Sequence, residues 1–241
     1  QAQPETLGLA TVPGEHRLLY KATEDGYKYS HHPNLGVFHN KLYAMWSSGI
    51  AQEDDNGQRV LYCHSEDGLL WSKPDVLVED PDGIESLACV AAGFHATDRE
   101  LTAYYTTITA GHATHEHDRL HAVTSRDGRT WNRPQPLFQG FFIESPRALR
   151  SGRLLMNGQW DTSRPRLMFT DAADGRSAWK DGRLPESEGF NWPEPSWLQR
   201  SDGTIVMLFR RQTSNAQAAL YASTSNDDGK TWTRPVATNF P

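Results

Sequence analysis

The sequence predicts an all-β fold, a β-propeller of four-stranded antiparallel blades. Three observations predict it: one turn recurs along the chain, its copies stand about one blade apart, and strand-like segments surround each copy. The four clearest copies are centred 47 to 60 residues apart, on Asp67, Asp127, Asp174 and Asp227. A fifth, incomplete copy at 23–29 ends in an aromatic residue other than Trp. We therefore expect four blades preceded by half a blade.

The repeated turn reads Ser-x-Asp-Gly-x-x-Trp at 65–71 and 125–131, with one residue inserted at 225–232 and a looser copy at 170–179. Its chemistry is local: the Asp accepts hydrogen bonds from backbone N–H groups and the Gly adopts a positive φ. The Trp is expected to fold back between neighbouring sheets. The repeated Asp is therefore structural and is excluded from the catalytic candidates.

Alternation of apolar and polar residues, together with turn signals, predicts the strands around these turns. A tight hairpin turn is expected at His39 and Asn40. The predicted strands are 34–38, 41–46, 59–64 and 75–78 in the first blade, 86–94, 101–107, 120–124 and 135–138 in the second, 145–149, 153–159 and 166–169 in the third, and 197–199, 204–210, 219–224 and 235–238 in the fourth.

The repeated turn joins the third and fourth strands of a blade, so the long loops lie on the opposite face of the disc. These loops are 48–58, 109–119, 160–165 and 211–217 within blades, and 79–85, 140–144 and 185–194 between blades. We expect the functional site there, around the central axis. Propellers with such turns commonly close with six or seven blades. The chain is therefore predicted to be a single domain over 1–241 that lacks the remainder of its propeller.

Composition excludes several classes of partner. The formal net charge is −6, and the 24 Lys and Arg residues are scattered rather than arranged in a basic stripe, so we expect no nucleic acid. No segment approaches the roughly 20 apolar residues that span a bilayer, so we expect no membrane partner. The chain begins at Gln1 without a Met, and a secreted or periplasmic location is expected. Cys63 and Cys89, the only cysteines, are expected to be two buried thiols rather than a disulfide.

Superposing the blades on one another shows which side chains should converge on the axis. The mouths of the first strands carry His31 and His32, Glu85, Glu144 and Glu194, and the exits of the second strands carry Trp46, Tyr105, Gln159, Arg210 and Arg211. Histidine, tyrosine, carboxylate and arginine together suit a pocket for a charged sugar. Adjacent residues of a strand face opposite ways, so only one of His31 and His32 should reach the axis.

A histidine-rich segment lies in the long loop of the second blade, with four imidazoles within ten residues. Its spacing matches no standard closed zinc site, so no metal or other cofactor is predicted. If a metal were bound, its candidate ligands are His112, His115 and His117. A polar loop that touches substrate is the competing interpretation.

Several segments resemble a known group of proteins. The repeated turns, Glu194-Pro195-Ser196-Trp197-Leu198 and Arg210 resemble the sialidase-like, Asp-box (BNR repeat) propellers that act on carbohydrates. Sialidases carry an Arg in a Phe-Arg-Ile-Pro motif near the first blade, where this chain has Tyr29-Ser30-His31-His32-Pro33. A His at that place, and the segments 42–47 and 54–60, resemble instead ulvan lyases and the rhamnosyl-glucuronate lyases once described as α-L-rhamnosidases.

The resemblance implies an oligosaccharide or polysaccharide substrate that contains a uronate, cleaved by β-elimination at a rhamnose-glucuronate linkage. It implies His31 or His32 as base or carboxylate neutraliser, Tyr105 or Tyr104 as acid or base, and Arg210 with Arg119 as a carboxylate clamp. Other expected substrate contacts are Arg211, Glu194, Glu144, Gln159 and Trp46. Two alternatives stay open: an exo-glycoside hydrolase (an α-L-rhamnosidase or sialidase-like enzyme) that uses Glu144 and Glu194, and a non-catalytic carbohydrate-binding propeller.

Overall fold

A computed structural model describes residues 13–22, 26–80, 86–185, 190–211 and 219–239. These residues form four separate four-stranded antiparallel sheets and one 3-10 turn, Ala110–His112. The predicted all-β propeller architecture is confirmed. Residues 13–22 and 26–28 contain no strand, and the start of the incomplete fifth turn, 23–25, lies outside the described residues, as does Glu85.

Each sheet is one blade, with its strands in chain order across the sheet. The first blade contains β1 (Tyr29–Phe38), β2 (Lys41–Gly49), β3 (Arg59–Ser65) and β4 (Asp75–Val78), and the second contains β5 (Leu87–Ala96), β6 (Leu101–Thr109), β7 (Arg119–Ser125) and β8 (Gln135–Gln139). The third contains β9 (Arg147–Ala148), β10 (Leu154–Asp161), β11 (Arg164–Thr170) and β12 (Lys180–Asp181), and the fourth contains β13 (Ser196–Gln199), β14 (Ile205–Phe209), β15 (Tyr221–Ser225) and β16 (Val236–Ala237).

Most strands lie where the sequence predicts them, with two informative differences. β12 was not predicted, because it has only two residues in an exposed polar segment where apolar and polar residues do not alternate. β1 begins at Tyr29, five residues before the predicted start, because the chain continues to pair with β2 on the far side of a β-bulge. The hairpin turn at His39 and Asn40 is confirmed, and both residues have the positive φ that a tight two-residue hairpin requires.

The repeated turns have the predicted hydrogen bonds. In the second blade, the carboxylate of Asp127 accepts the backbone N–H groups of Arg129 and Thr130 at 2.8 and 2.7 Å. Gly128 has a φ of 69°. These hydrogen bonds hold the pKa of Asp127 well below its usual value. In the first, third and fourth copies the Trp Nε1 also donates to the carbonyl of the turn glycine.

The turn glycines also let neighbouring blades approach each other. A Cβ at Gly128 would overlap the hydroxyl of Tyr43, a side chain from the second strand of the preceding blade. The same relation holds between Gly175 and Tyr104, and between Gly229 and Leu155. Each turn is thus a socket for the second strand of the preceding blade. Cores of buried apolar side chains fill the spaces between successive blades.

Both cysteines are buried free thiols, as expected, and burial raises the pKa of Cys63 to about 11 and that of Cys89 to about 12. No helix in the described part of the chain is long and apolar enough to cross a membrane.

The socket predicts a difference between two glycine substitutions. Gly152 also has a positive φ, but a Cβ there would have no neighbour within 4 Å. Gly152→Ala should therefore cost only the left-handed backbone penalty, about 1 kcal/mol. Gly128→Ala should cost a further 1–3 kcal/mol, roughly, because it also displaces buried Tyr43. Urea denaturation of both variants measures the difference, and equal losses of unfolding free energy would contradict the socket.

Candidate active site

Loops of the predicted face surround one cavity of about 560 Å³. Its lining comes from the start of β1, the β2–β3 and β6–β7 loops, the segment between β8 and β9, and both ends of the β13–β14 hairpin. The lining residues are His31, His32, Glu53, Asp54, Gly111, His112, Phe141, Ile143, Trp192, Glu194 and Arg210. Polar and ionisable groups therefore dominate its wall.

A β-bulge brings both His31 and His32 to this wall. His31 pairs with Ser47 and Asn34 pairs with Met45, so two residues of β1 stand opposite one residue of β2. His32 has a φ of 50°, and its carbonyl accepts a hydrogen bond from the Asn34 side chain at 3.1 Å. The expectation that only one histidine reaches the site is wrong, because the bulge breaks the alternation of the strand. The centroids of the two rings lie 3.9 Å apart.

The imidazole of His32 is almost fully buried. Its side chain is 8% exposed, and burial lowers its pKa to about 4. The charge of Asp54 opposes this shift, whereas His31 and His112 add to it. Nδ1 lies 3.2 Å from Oγ of Ser47. His32 is therefore a neutral imidazole at neutral pH.

His31 forms a pair with Glu53. Nδ1 of His31 lies 2.5 Å from Oε1 of Glu53, and this imidazole is 39% exposed. Tyr29 packs edge-on against the ring of His31, with 5.9 Å between centroids. Burial, followed by the charge of Glu53, raises the pKa of Tyr29.

Arg210 and Glu194 form the second charged pair of the cavity. Nη2 of Arg210 lies 2.9 Å from Oε1 of Glu194, and Nε donates to the carbonyl of Trp192 at 3.1 Å. The anionic partner of Arg210 within the protein is thus Glu194. Burial raises the pKa of Glu194 although the charge of Arg210 lowers it.

Asp54 links the loops of the first two blades. Its carboxylate accepts the Gln58 amide at 3.0 Å, and its other oxygen lies 2.9 Å from Nε2 of His112. Its carbonyl accepts the N–H of Gly111 at 2.7 Å. Burial alone would raise the pKa of Asp54, but the hydrogen bonds from His112 and Gln58 help to bring it below the usual value.

Two aromatic side chains complete the wall. The rings of Phe141 and Trp192 both meet His112 edge-on, with centroids 5.1 and 4.7 Å from its own. Sequence reasoning missed Glu53, Asp54, Phe141 and Trp192. All four fall in loops predicted to border the site, and Asp54 also begins the segment 54–60 that resembles the lyases.

The two tyrosines expected to act as acid or base do not line the cavity. Tyr104 is fully buried and donates a hydrogen bond to the carbonyl of Gly175 at 2.8 Å, because it fills the socket of the next blade. Tyr105 is 4% exposed within the core between the first two blades and stacks on His121. Burial raises the pKa of both phenols. We therefore remove both from the candidate catalytic residues.

Trp46, Arg119 and Arg211 also lie outside the lining. Trp46 is buried and packs on Tyr20, with 5.4 Å between the ring centroids. Arg119 begins β7 and is exposed. Arg211 donates to the hydroxyl of Tyr221.

Glu144 and Gln159 lie next to the cavity rather than in it. Glu144 is 3.5 Å from Arg147. Gln159 is 1% exposed and borders a small void that shares Phe141, Ile143 and Glu194 with the main cavity. Neither polar atom of its side-chain amide has a hydrogen-bond partner in the described structure.

Among the residues that the structure describes, two groups of side chains have the spacing of metal ligands. One is His31, His32 and Glu53, and the other is His112, His115 and Asp118, with one possible ligand atom from each member within 4.8 Å of the others. His117, the third candidate from the sequence, is exposed and belongs to neither group.

Comparison with solved structures finds proteins of the same fold. The intramolecular trans-sialidase from Ruminococcus gnavus, solved with oseltamivir carboxylate, is 12% identical, with a TM-score of 0.69 over 92% of this chain and 73% of its own. The Trypanosoma rangeli sialidase in complex with sialic acid is 14% identical, with a TM-score of 0.69 over 92% of this chain and 42% of its own. A protein of unknown function from Dyadobacter fermentans is 14% identical, with a TM-score of 0.70 over 92% of this chain and 72% of its own.

At these identities the similarity establishes the sialidase-like propeller fold. The chain spans less than half the length of the Trypanosoma rangeli sialidase. Comparison with curated proteins finds no match. A family model of BNR repeat-like domains matches residues 40–241. That match covers most of the sequence, and the chain therefore belongs to the BNR repeat-like domain family.

Proposed function

We propose that this protein is a carbohydrate-active enzyme that cleaves an acidic, uronate-containing glycan by β-elimination. The observation that carries the proposal is the pair of imidazoles, His31 and His32, on the wall of a cavity that also holds Arg210. A base, a neutral hydrogen-bond donor and a fixed cation are the groups that removal of a proton beside a carboxylate requires.

His31 is the proton acceptor in this proposal. Its Nδ1 lies 2.5 Å from Oε1 of Glu53, and the negative charge of that carboxylate would stabilise the imidazolium that forms when Nε2 accepts the proton. A carboxylate that orients an imidazole and stabilises its protonated form is a recurrent device in enzymes. The partial exposure of His31 is also what a group that meets substrate needs.

His32 serves as the donor. Oγ of Ser47 already accepts the N–H of Ala91 at 3.0 Å, and its own hydrogen is then available for Nδ1 of His32. A neutral imidazole that accepts at Nδ1 carries its hydrogen on Nε2. That N–H would bind the substrate carboxylate or the enolate formed from it.

Arg210 and Glu194 take the remaining roles. The guanidinium binds the substrate carboxylate and stabilises the charge that develops on it. His31 removes the proton from the carbon next to the carboxylate, and the electron pair forms a double bond while the C–O bond to the neighbouring sugar breaks. Binding of the substrate carboxylate to Arg210 displaces Glu194, which then takes up a proton from solvent because burial raises its pKa, and donates that proton to the departing oxygen. The products are an unsaturated uronate and a free hydroxyl.

The similar structures are consistent with an acidic sugar. The Ruminococcus gnavus and Trypanosoma rangeli proteins share the fold and hold oseltamivir carboxylate and sialic acid, which both carry a carboxylate. The rhamnose-glucuronate linkage is the substrate we propose, because the segment around His31 resembles the lyases that act on it.

A hydrolase is the second candidate, and one observation favours it. Glu53 and Glu194 line the same cavity, and the raised pKa of Glu194 suits a general acid. In this alternative the histidines position groups but accept no proton from carbon.

The absorbance of the product tests the proposal. With a rhamnose-glucuronate polysaccharide, the protein should release products that absorb in the ultraviolet because of the new double bond. His31→Ala should lower kcat by about 10²–10⁴ by removing the base. His117→Ala is the matched control, since His117 is exposed and lies outside the cavity.

Three outcomes would contradict the proposal. Cleavage without ultraviolet absorbance would favour the hydrolase. Saturable binding without turnover would favour the carbohydrate-binding propeller. Full activity of His31→Ala would exclude that residue as the base.

Burial of His32 also predicts a dependence of stability on pH. Its pKa is lowered from 6.5 to about 4, so between these values the unfolded chain binds a proton that the folded chain does not. As far as His32 is concerned, the free energy of unfolding is therefore highest above pH 6.5. It falls as the pH drops towards 4, because the proton binds to the unfolded chain and favours it. His32→Gln should reduce the slope of unfolding free energy in this window by up to about 1.4 kcal/mol per pH unit. Denaturation across the window measures it, with His117→Gln as control. A slope in His32→Gln that equals the wild-type slope would contradict the assignment of His32 as a neutral imidazole.

A further inference from the structure

We propose that His112, His115 and Asp118 bind a single zinc ion at the edge of the cavity. One possible ligand atom from each residue lies within 4.8 Å of the others, a spacing that one metal ion bridges with small side-chain movements. Two imidazoles and one carboxylate form the ligand set of known zinc sites that keep a fourth position for water or substrate. Imidazole ligands also favour zinc over calcium and magnesium, which prefer oxygen.

Buried atoms without partners point to a ligand at this place. Asp118 is 1% exposed, and its Oδ1 has no hydrogen-bond partner in the described structure. Nδ1 of His112 is likewise buried without a partner. Its side chain is 12% exposed. Buried polar atoms left unsatisfied are costly, and a cation that accepts both lone pairs would satisfy them together.

The contact that Nε2 of His112 makes leaves Nδ1 of the same ring for zinc. Nε2 lies 2.9 Å from the carboxylate of Asp54, which the Gln58 amide holds in turn. Metal-binding histidines almost always donate their second ring hydrogen to such a carboxylate or carbonyl, which leaves the opposite nitrogen for the metal. Asp54 thus provides the outer contact that this site needs.

The loop backbone is shaped to bring the three side chains together. Gly111 and His112 both have a positive φ, 63° and 54°, and the N–H of Asp118 bonds to the carbonyl of His115 at 3.3 Å. His115 and Asp118 already approach each other, with 2.8 Å between Nδ1 and Oδ2. A left-handed His is strained and persists only where its surroundings determine it. Zinc would link the three side chains and so hold this loop in place beside Phe141 and Trp192.

Metal titration tests the site without relying on glycan cleavage. Protein freed of metal with a chelator is titrated with zinc against a chromophoric indicator, and cobalt is added separately to read its visible absorption bands. We expect one equivalent of zinc and the bands of a low-coordinate cobalt site with nitrogen ligands. His115→Ala and Asp118→Asn should each weaken zinc binding at least about 100-fold. Asp54→Asn should weaken it about 10- to 100-fold.

His117→Ala is the matched control, since it removes an exposed imidazole from the same loop, and it should bind zinc as wild type does. Circular dichroism confirms that each variant is folded, and the two ligand variants provide independent readings. The proposal is overturned if no stoichiometric zinc binds, or if His117→Ala weakens binding as much as His115→Ala. It is also overturned if His31→Ala abolishes binding while His115→Ala retains it, because the ion would then occupy the other group.

Discussion

The cavity depends on the hydrogen bonds of one buried carboxylate, that of Asp54. Asp54 is 4% exposed, and a charge at that depth is tolerable only when hydrogen bonds satisfy it. Gln58 and His112 provide those bonds, while the Asp54 carbonyl holds Gly111. Gln58 also donates to the carbonyl of Cys89 in the second blade. One side chain therefore fixes a loop of each of two blades, and it sets the position of His112 and part of the electrostatic environment of His32.

The fold could be predicted because its signals are local. Each repeated turn carries its own hydrogen bonds and its own glycine, so seven to ten residues are enough to recognise a blade. The same glycine has a second role that the sequence does not reveal: Gly128 and Gly175 receive Tyr43 and Tyr104 from the preceding blades. Tyr104, which motif comparison suggested as an acid or base, is thereby explained as packing.

The site could be predicted only as a region. Its face and the loops around it follow from where the turns lie, but its members depend on contacts between blades. The bulge after His31 reverses the expectation from strand alternation, and Asn34, which holds it, also reaches the Ile143 carbonyl at 3.3 Å. Trp192 rather than Trp46 meets the cavity, because Trp46 is covered by Tyr20. No periodicity within one segment encodes such long-range pairs.

Elimination and hydrolysis differ in whether water enters the product, and this difference tests the central claim most directly. Cleavage of a rhamnose-glucuronate polysaccharide in water enriched in ¹⁸O, followed by mass spectrometry of the fragments, reports it. With His31 as the base, the new ends should contain no oxygen from the solvent and one fragment should carry the mass of an unsaturated uronate. One solvent oxygen in each cleaved linkage would contradict the account.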